Sequence, residues 1–429
     1  MGMIQTLVQA WKIPEMRKKI LYTLIMMVVF RLGSNIPVPC IDRSQLAAMF
    51  DANESGLFGL FDLFSGGSFS NFTIFALSIT PYITASIILQ LLTVAIPKLE
   101  ELAKQGQEGQ RKIAQWTRYL TVVLALVQAI GYTFGLFRNV LSDNSIFAKI
   151  VIVLTLVAGT AFLMWLGERI NENGIGNGIS LIIFAGIVSR IPTSISRTIK
   201  GLSAGTVSIV SVIIFLIFAL AVIMGIVMVQ EGNRKIPVQY AKRVVGRKMY
   251  GGQSTHIPLK VNQAGVIPVI FAISLLQIPA TIAYMTGNDN GFSRFVAKYL
   301  STTGTPGIWI YLVLDILLII FFTYFYGSIT VNPLEIADNM KANGGFIPGI
   351  RPGKPTSDYL TRILNYIIFI GACGLVIVQV IPFFFNGVFG ANVSFGGTSL
   401  IIVVGVVIET LKQVESMMTV RYYKGFLNE

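Results

Sequence analysis

VSIVSVIIFLIFALAVIMGIVMV, residues Val207–Val229, is followed after one glutamine by EGNRKIPVQYAKRVVGRKMYGGQSTHIPLKVN, Glu231–Asn262. The first stretch is long and apolar enough to cross the roughly 30 Å hydrocarbon core of a bilayer as a helix. The second carries seven lysines and arginines and no acid after Glu231. Another apolar run then begins at Gly265. A long basic platform held between two apolar spans reads as a membrane protein that offers a charged surface to something outside the lipid.

Composition points the same way. Of 429 residues, 54% are hydrophobic and only 12% are charged, with a mean hydropathy of +0.71. Soluble domains carry about 25% charged residues, so this chain has too few polar side chains to cover itself against water. The net charge of +13 would suggest nucleic acid in a soluble protein, but here the cations have first to be placed relative to the bilayer. Cys40 and Cys373 are far apart and sit in no metal-ligand spacing, and a disulfide between them is disfavoured. His256 is the single histidine, so no histidine-based metal site is expected; no cofactor is expected either. Trp11–Ile20 is basic and amphipathic without a small-residue cleavage site, so the first apolar run is expected to be a retained span.

Outward from the opening stretch, apolar runs of spanning length recur ten times. They are Ile20–Pro37, Phe72–Ala95, Tyr119–Leu136, Ile150–Leu166, Ile179–Ile191, Val207–Val229, Gly265–Met285, Ile308–Ile329, Ile363–Phe385 and Thr398–Glu415. The fifth is short and gains length if Ser189–Ser196 is helical. An even count puts both termini on one side. If that side is cytoplasmic, 24 lysines and arginines face the cytoplasm and nine face away, which accounts for all 33. That asymmetry follows the positive-inside rule and places the basic platform in the cytoplasm.

Two features complicate the picture. In Gly56–Phe72, Leu57, Leu60, Phe61 and Phe64 fall at helical spacing on one face, and Ser65–Gly66–Gly67–Ser68 then breaks the pattern. The segment is too short to span. It reads either as an interfacial amphipathic turn or as a re-entrant piece inside the protein, where irregular backbone can be satisfied. The five-plus-five division of spans also fits an inverted repeat, without a clear sequence match between the halves. Pro81 with Thr80, Thr84 and Ser86, and Pro268 with Pro279, loosen two of the spans. Ordinary kinks and a moving gate both explain them.

Chemistry is sparse. Glu172–Ser180, ENGIGNGIS, lacks the phosphate-loop lysine and follows a span rather than a strand, so it reads as a tight turn capping the next helix. Asp315 is an acid deep in a span, a functional hypothesis by default, but without a basic partner it is thin support for a proton relay. No nucleophile–base pair or carboxylate dyad is visible, so no enzyme activity is expected.

Six separated blocks, in order, then carry a resemblance. They are RLGSNIPVP (Arg31–Pro39), SITPYITASIILQLL (Ser78–Leu92), GIGNGISLIIFAGIV (Gly174–Val188), YAKRVVGRKMYGGQSTHIPLKVNQAGVIP (Tyr240–Pro268), ADNMKANGGFIPGIRPG (Ala337–Gly353) and FGGTSLIIVVGV (Phe395–Val406). Together they resemble the SecY/Sec61-alpha family, channel-forming subunits of protein translocases. The resemblance covers nearly the whole chain. It is weakest at Asp42–Ser55, Gly287–Thr305 and Phe384–Ser394.

The resemblance implies an all-α, multi-pass membrane fold with ten transmembrane helices in two pseudo-symmetric five-helix halves, a clamshell around an hourglass pore. Residues 1–200 would form the first half, 201–415 the second with cytoplasmic loops 231–262 and 331–362, and 416–429 a cytoplasmic tail. A plug helix at about 57–64, comprising Leu57, Leu60, Phe61, Asp62 and Phe64, would seal the resting pore, its hinge held only marginally. Ile79, Ile83, Ile183, Ile270 and Ile402 would form the constriction ring, with Ile278 a further gate position. The spans near Phe72–Ala95 and Gly265–Met285 would border a lateral gate into lipid. Such a ring of branched apolar side chains dewets and resists ions, yet offers no charge to grip a sliding polypeptide.

The family's partners follow by the same implication: the small membrane subunits SecE and SecG, the motor ATPase SecA, the ribosome with its RNA, signal peptides and nascent chains, and the bilayer of a bacterial cell membrane. Lys242, Arg243, Arg247, Lys248 and Arg351 would dock the ribosome or SecA. The competing classes are a secondary transporter, which needs coordinating polar groups at the midplane, and a scaffold that only recruits ribosomes.

Overall fold

In the computed structural model, residues 3–42, 44–46, 62, 65–137, 140–143, 145–205, 208–240, 243–245, 248–250, 254–286, 290–300, 306–389 and 397–426 are described. Among them the chain is mostly helical, with one basic strand ribbon and a run of turns at residues 66–79. A short amphipathic helix, α1 (Met3–Lys12), precedes α2 (Pro14–Gly33). α3 (Thr80–Ala95) turns through 102° into α4 (Pro97–Lys104), where Pro97 cannot continue the first helix. α5 (Gln107–Gly131) ends in a π turn, Tyr132–Leu136. α6 (Ile146–Asn173), α7 (Gly178–Ser189), α8 (Ile191–Ser203) and α9 (Ile209–Glu231) follow. After the ribbon come α10 (Ile267–Thr286), α11 (Gly291–Tyr299), α12 (Gly307–Thr330), α13 (Pro333–Ala342), α14 (Lys354–Phe389) and α15 (Gly397–Phe426).

The ten expected spans map onto α2, α3, α5, α6, α7, α9, α10, α12, α14 and α15. Six pass by themselves as long, apolar helices, and α3–α4 makes a seventh as a bent pair. α10 is apolar but shorter. α7 gains its length as expected, because α8 follows it directly and the two count as one span, Gly178–Ser203. The outward faces are greasy: Ile213, Leu216, Ile217, Leu220 and Met224 of α9 are all exposed, an arrangement that only lipid or another membrane segment would favour.

One expected span starts late. The run from Phe72 is helical only from Thr80, with Pro81 in the first turn, where its missing N–H is harmless and its ring forbids helix further back. Residues 66–79 instead form successive turns buried in the protein: Phe69, Phe72, Phe75 and Leu77 are each at most 4% exposed. Their backbone groups are met internally, Ile74 N–H donating to Ile36 O at 3.0 Å and Phe72 O accepting from Val38 N–H at 3.0 Å. Phe72 (φ 42°) and Ser78 (φ 52°) hold left-handed backbone despite their side chains. Strain of that kind persists only where packing over-determines the segment. Aromatic packing of Phe69 and Phe72 on Phe137 and of Phe69 on Tyr132 supplies it.

The basic loop is not irregular. β1 (Asn233–Tyr240) pairs antiparallel with β4 (Ser254–Lys260), in a register that sets Ile236 opposite Ile257. β2 (Arg243–Val245) and β3 (Lys248–Tyr250) pair with each other between them, and β5 (Gly345–Phe346) adds to β1 at Gln239 and Tyr240. This ribbon is an addition to an otherwise helical fold, and it has period two: Ile236 and Val238 are buried while Arg234, Lys235, Pro237 and Gln239 are exposed. Pro237 is tolerated because β5 does not reach it, leaving that side of β1 an edge.

Candidate functional site

The turn Gly174–Asn177 shows how local sequence sets the site. Asn177 caps α7, its side-chain oxygen accepting from the Ile179 and Ser180 N–H groups. Backbone donors of the turn are taken by three other helices: Ile175 by Thr23 Oγ1 (3.0 Å), Gly178 by Asn171 Oδ1 (2.8 Å) and Gly176 by Gln413 Oε1 (2.7 Å). The glycine cluster is thus a capping turn, and it fixes where α7 starts.

From there α7 delivers Ile183 to a buried apolar cluster. The same cluster receives Ile79 and Ile83 from the start of α3, Ile270 from α10 and Ile402 from α15. All five residues expected in the ring lie in that one extended cluster, with exposures of 1%, 7%, 1%, 6% and 0% in chain order. Ile278 is not among them: it is half-buried, two turns further along α10. Ile187, not singled out in the sequence, is 1% exposed in the cluster. The signal for it is its place one turn after Ile183 on the same helix face. Branched side chains from α3, α7, α10 and α15 thus share one buried apolar cluster.

Polar and aromatic contacts tie α3 and α10 to α12. The Tyr326 hydroxyl of α12 donates to Gln90 Oε1 of α3, and Gln90 Nε2 donates to Ser86 Oγ at 3.2 Å. Phe271 of α10 packs edge-on against Phe322 and Tyr326 of α12. Asp315 is 1% exposed and accepts from Gln379 Nε2 at 3.0 Å, so it ties α12 to α14. Cys40 and Cys373 are free thiols.

On the far side from the ribbon, the expectation of a marginally held hinge is corrected. Leu57, Leu60, Phe61 and Phe64 lie outside the described residues, but Asp62 is described and is 3% exposed. Its Oδ2 pairs with Arg190 Nη2 at 2.9 Å, and its Oδ1 accepts from Ser70 N–H at 2.8 Å. Ser65 and Ser68 are fully buried as well. A carboxylate taken out of water needs such partners, and these fasten the hinge.

On the ribbon side, the two basic loops form one body. Ile236, Val238 and Leu259 of the ribbon pack with Met340, Ile347, Leu360 and Leu364. β5, in the middle of the second loop, pairs directly with β1. Arg351 is exposed on a turn closed by Ile350 N–H to Ile347 O (3.0 Å), and its carbonyl accepts from Thr356 Oγ1 at 2.8 Å. Gly349 and Gly353, flanking it at φ 83° and 100°, adopt backbone that only glycine takes without strain. Arg243 and Lys248 lie on β2 and β3, at the ribbon tip, whereas Lys242 and Arg247 lie outside the described residues. His256 is exposed on β4.

Residues 73–411 match the SecY family profile. The chain is 47% identical to the protein translocase subunit SecY of Streptomyces scabiei, over 99% of this chain and 100% of that one. It is 46% identical to the protein translocase subunit SecY of Bacillus subtilis (strain 168), with the same coverage. Among solved structures, a protein conducting channel superposes with a TM-score of 0.63 at 20% identity, over 93% of this chain and 92% of that one. Sec61 from a canine ribosome–channel complex gives 0.62 at 18%, with equal coverage. These last two show the fold. With a family profile matched over residues 73–411 and a relative 47% identical over nearly its whole length, this chain belongs to the SecY family.

Proposed function

We propose that this chain is the central protein-conducting subunit of a bacterial Sec translocon, passing unfolded polypeptides across the cell membrane and releasing apolar helices sideways into lipid. The observation that carries the reading is the buried cluster of Ile79, Ile83, Ile183, Ile270 and Ile402, drawn from helices at both ends of the chain. It supplies an uncharged seal that can part around any sequence. Residues 1–200 and 201–415 act as the two halves, opening between α3 and α10. Both termini and the ribbon face the cytoplasm, in keeping with the positive-inside count. The chain does no chemistry of its own. SecA or a ribosome pushes from the ribbon and the Arg351 turn, while SecE and SecG accompany the channel in the membrane.

The test is binding by the purified complex to ribosomes and to SecA, with and without a signal peptide. Signal-dependent engagement of both is expected; engagement of neither would sink the docking assignment. A separate prediction concerns Leu57–Phe64, proposed as the plug. Its deletion is expected to raise resting conductance in planar bilayers at least several-fold while the complex still assembles, and a channel that remains tight would count against a plug there.

A further inference from the structure

We infer that Asp62, Arg190 and Arg31 are positioning residues for the isoleucine seal, forming a latch that joins three elements on its far side. The inference rests on the channel reading above. Arg190 is the residue at which α7 ends, less than two turns beyond Ile187 and Ile183. The buried turns that begin at Ser65 run into Ile79 and then Ile83. The Arg190–Asp62 pair therefore fastens the helix that carries one part of the seal to the segment that leads into the other.

The contacts over-determine this junction. Asp62 is met by Arg190 Nη2 at 2.9 Å, by Ser70 N–H at 2.8 Å and by Ser65 Oγ at 3.3 Å. Arg31, in the last turn of α2, donates through Nη1 to Gly66 O at 3.2 Å and to Ser189 Oγ at 3.3 Å. Ser189 Oγ lies 2.7 Å from Gly186 O. Beside them Gly66 has φ 65°, and a Cβ on it would fall 2.6 Å from Gly186 Cα. Two backbones thus touch with no side chain between them. If Arg190 is neutralised, the buried Asp62 carboxyl loses its ion-pair partner, and the segment relieves that loss by moving toward water. α3 and α7 then lose their common register, and the seal loosens.

The experiment uses purified complex in sealed vesicles and reads ion leak with no substrate present. Asp62→Asn and Arg190→Gln are each expected to raise the leak on the order of fivefold or more, the low end of couplings between linked sites. Because one interaction is removed in either case, the double variant is expected to leak no more than the leakier single one. Arg190→Lys keeps the cation and is expected to stay tight, which a general folding defect would not explain. Ile83→Asn serves as the control for the seal itself. If Ile83→Asn leaks while both single variants stay tight, or if the single effects multiply, the latch is overturned. If Ile83→Asn also stays tight, the seal reading fails and takes this inference with it.

Discussion

Arg351→Glu is expected to reduce SecA-driven translocation in reconstituted vesicles to background, a loss of more than about tenfold, while the complex assembles and melts as before. The separation of these outcomes follows from where the residue sits. Arg351 is exposed, and surface substitutions away from caps and networks usually change stability by less than about 0.5 kcal/mol. Its backbone, by contrast, is held firmly: the turn closes on Ile347 O, Thr356 Oγ1 binds the Arg351 carbonyl, and Ile347 packs in the core shared with the ribbon. A guanidinium on a fixed turn is pre-organised for bidentate contact with a carboxylate or phosphate. Glutamate in its place presents the wrong sign to either partner, and like-charge juxtaposition at an interface costs several kcal/mol, where each 1.4 kcal/mol is tenfold in affinity. Arg351→Lys, a point charge without the planar fork, is expected to retain part of the activity. Wild-type transport by Arg351→Glu vesicles, with SecA at limiting concentration, is the result that rules the assignment out.

Much of this arrangement is legible in the amino-acid sequence. Run length alone locates the ten spans, because a bilayer demands long apolar segments and tolerates few alternatives. The glycine cluster at Gly174–Gly178 is readable as a turn because the residue types that cap helices are few. What escapes a sequence reading is set by contacts between distant parts of the chain. Nothing local marks Asp62 and Arg190 as partners, since the acid lies in a glycine-rich stretch and the cation among other far-side basic residues. The late start of α3 at Thr80 is hidden by the apolar character of Phe72–Leu77, which serves a buried irregular segment as well as a helix. Charge masks the ribbon: its lysines and arginines point to binding, while the alternation of Ile236 and Val238 carries the strand signal. Ile187 shares the buried cluster with Ile183, and its spacing from Ile183 on one helix face is the local sign of it.

Ile402→Asn is expected to loosen the resting seal more than Ile83→Asn, with ion leak raised in both and signal sequences of reduced hydrophobicity now accepted. Ile402 is 0% exposed and Ile83 is 7% exposed in the cluster, so an amide at 402 loses more of its hydration when the channel closes. Burying an amide without a partner costs about 1–3 kcal/mol by the measure of protein mutations. That penalty falls on the closed state alone, because parting the ring lets water reach the side chain. A differential of about 1.4 kcal/mol moves the closed–open balance tenfold, and a ligand that needs the open form binds more tightly by the same factor. A weak signal sequence, which opens the wild-type channel too seldom to be carried, thereby gains what it lacked. Ile402→Leu keeps the ring apolar and is expected to behave as wild type, which separates polarity from a change of shape. The measurements are resting leak in vesicles and export of a substrate with a shortened signal core. If both Asn variants match wild type in leak and in signal selectivity, these isoleucines are ordinary packing residues and the seal lies elsewhere.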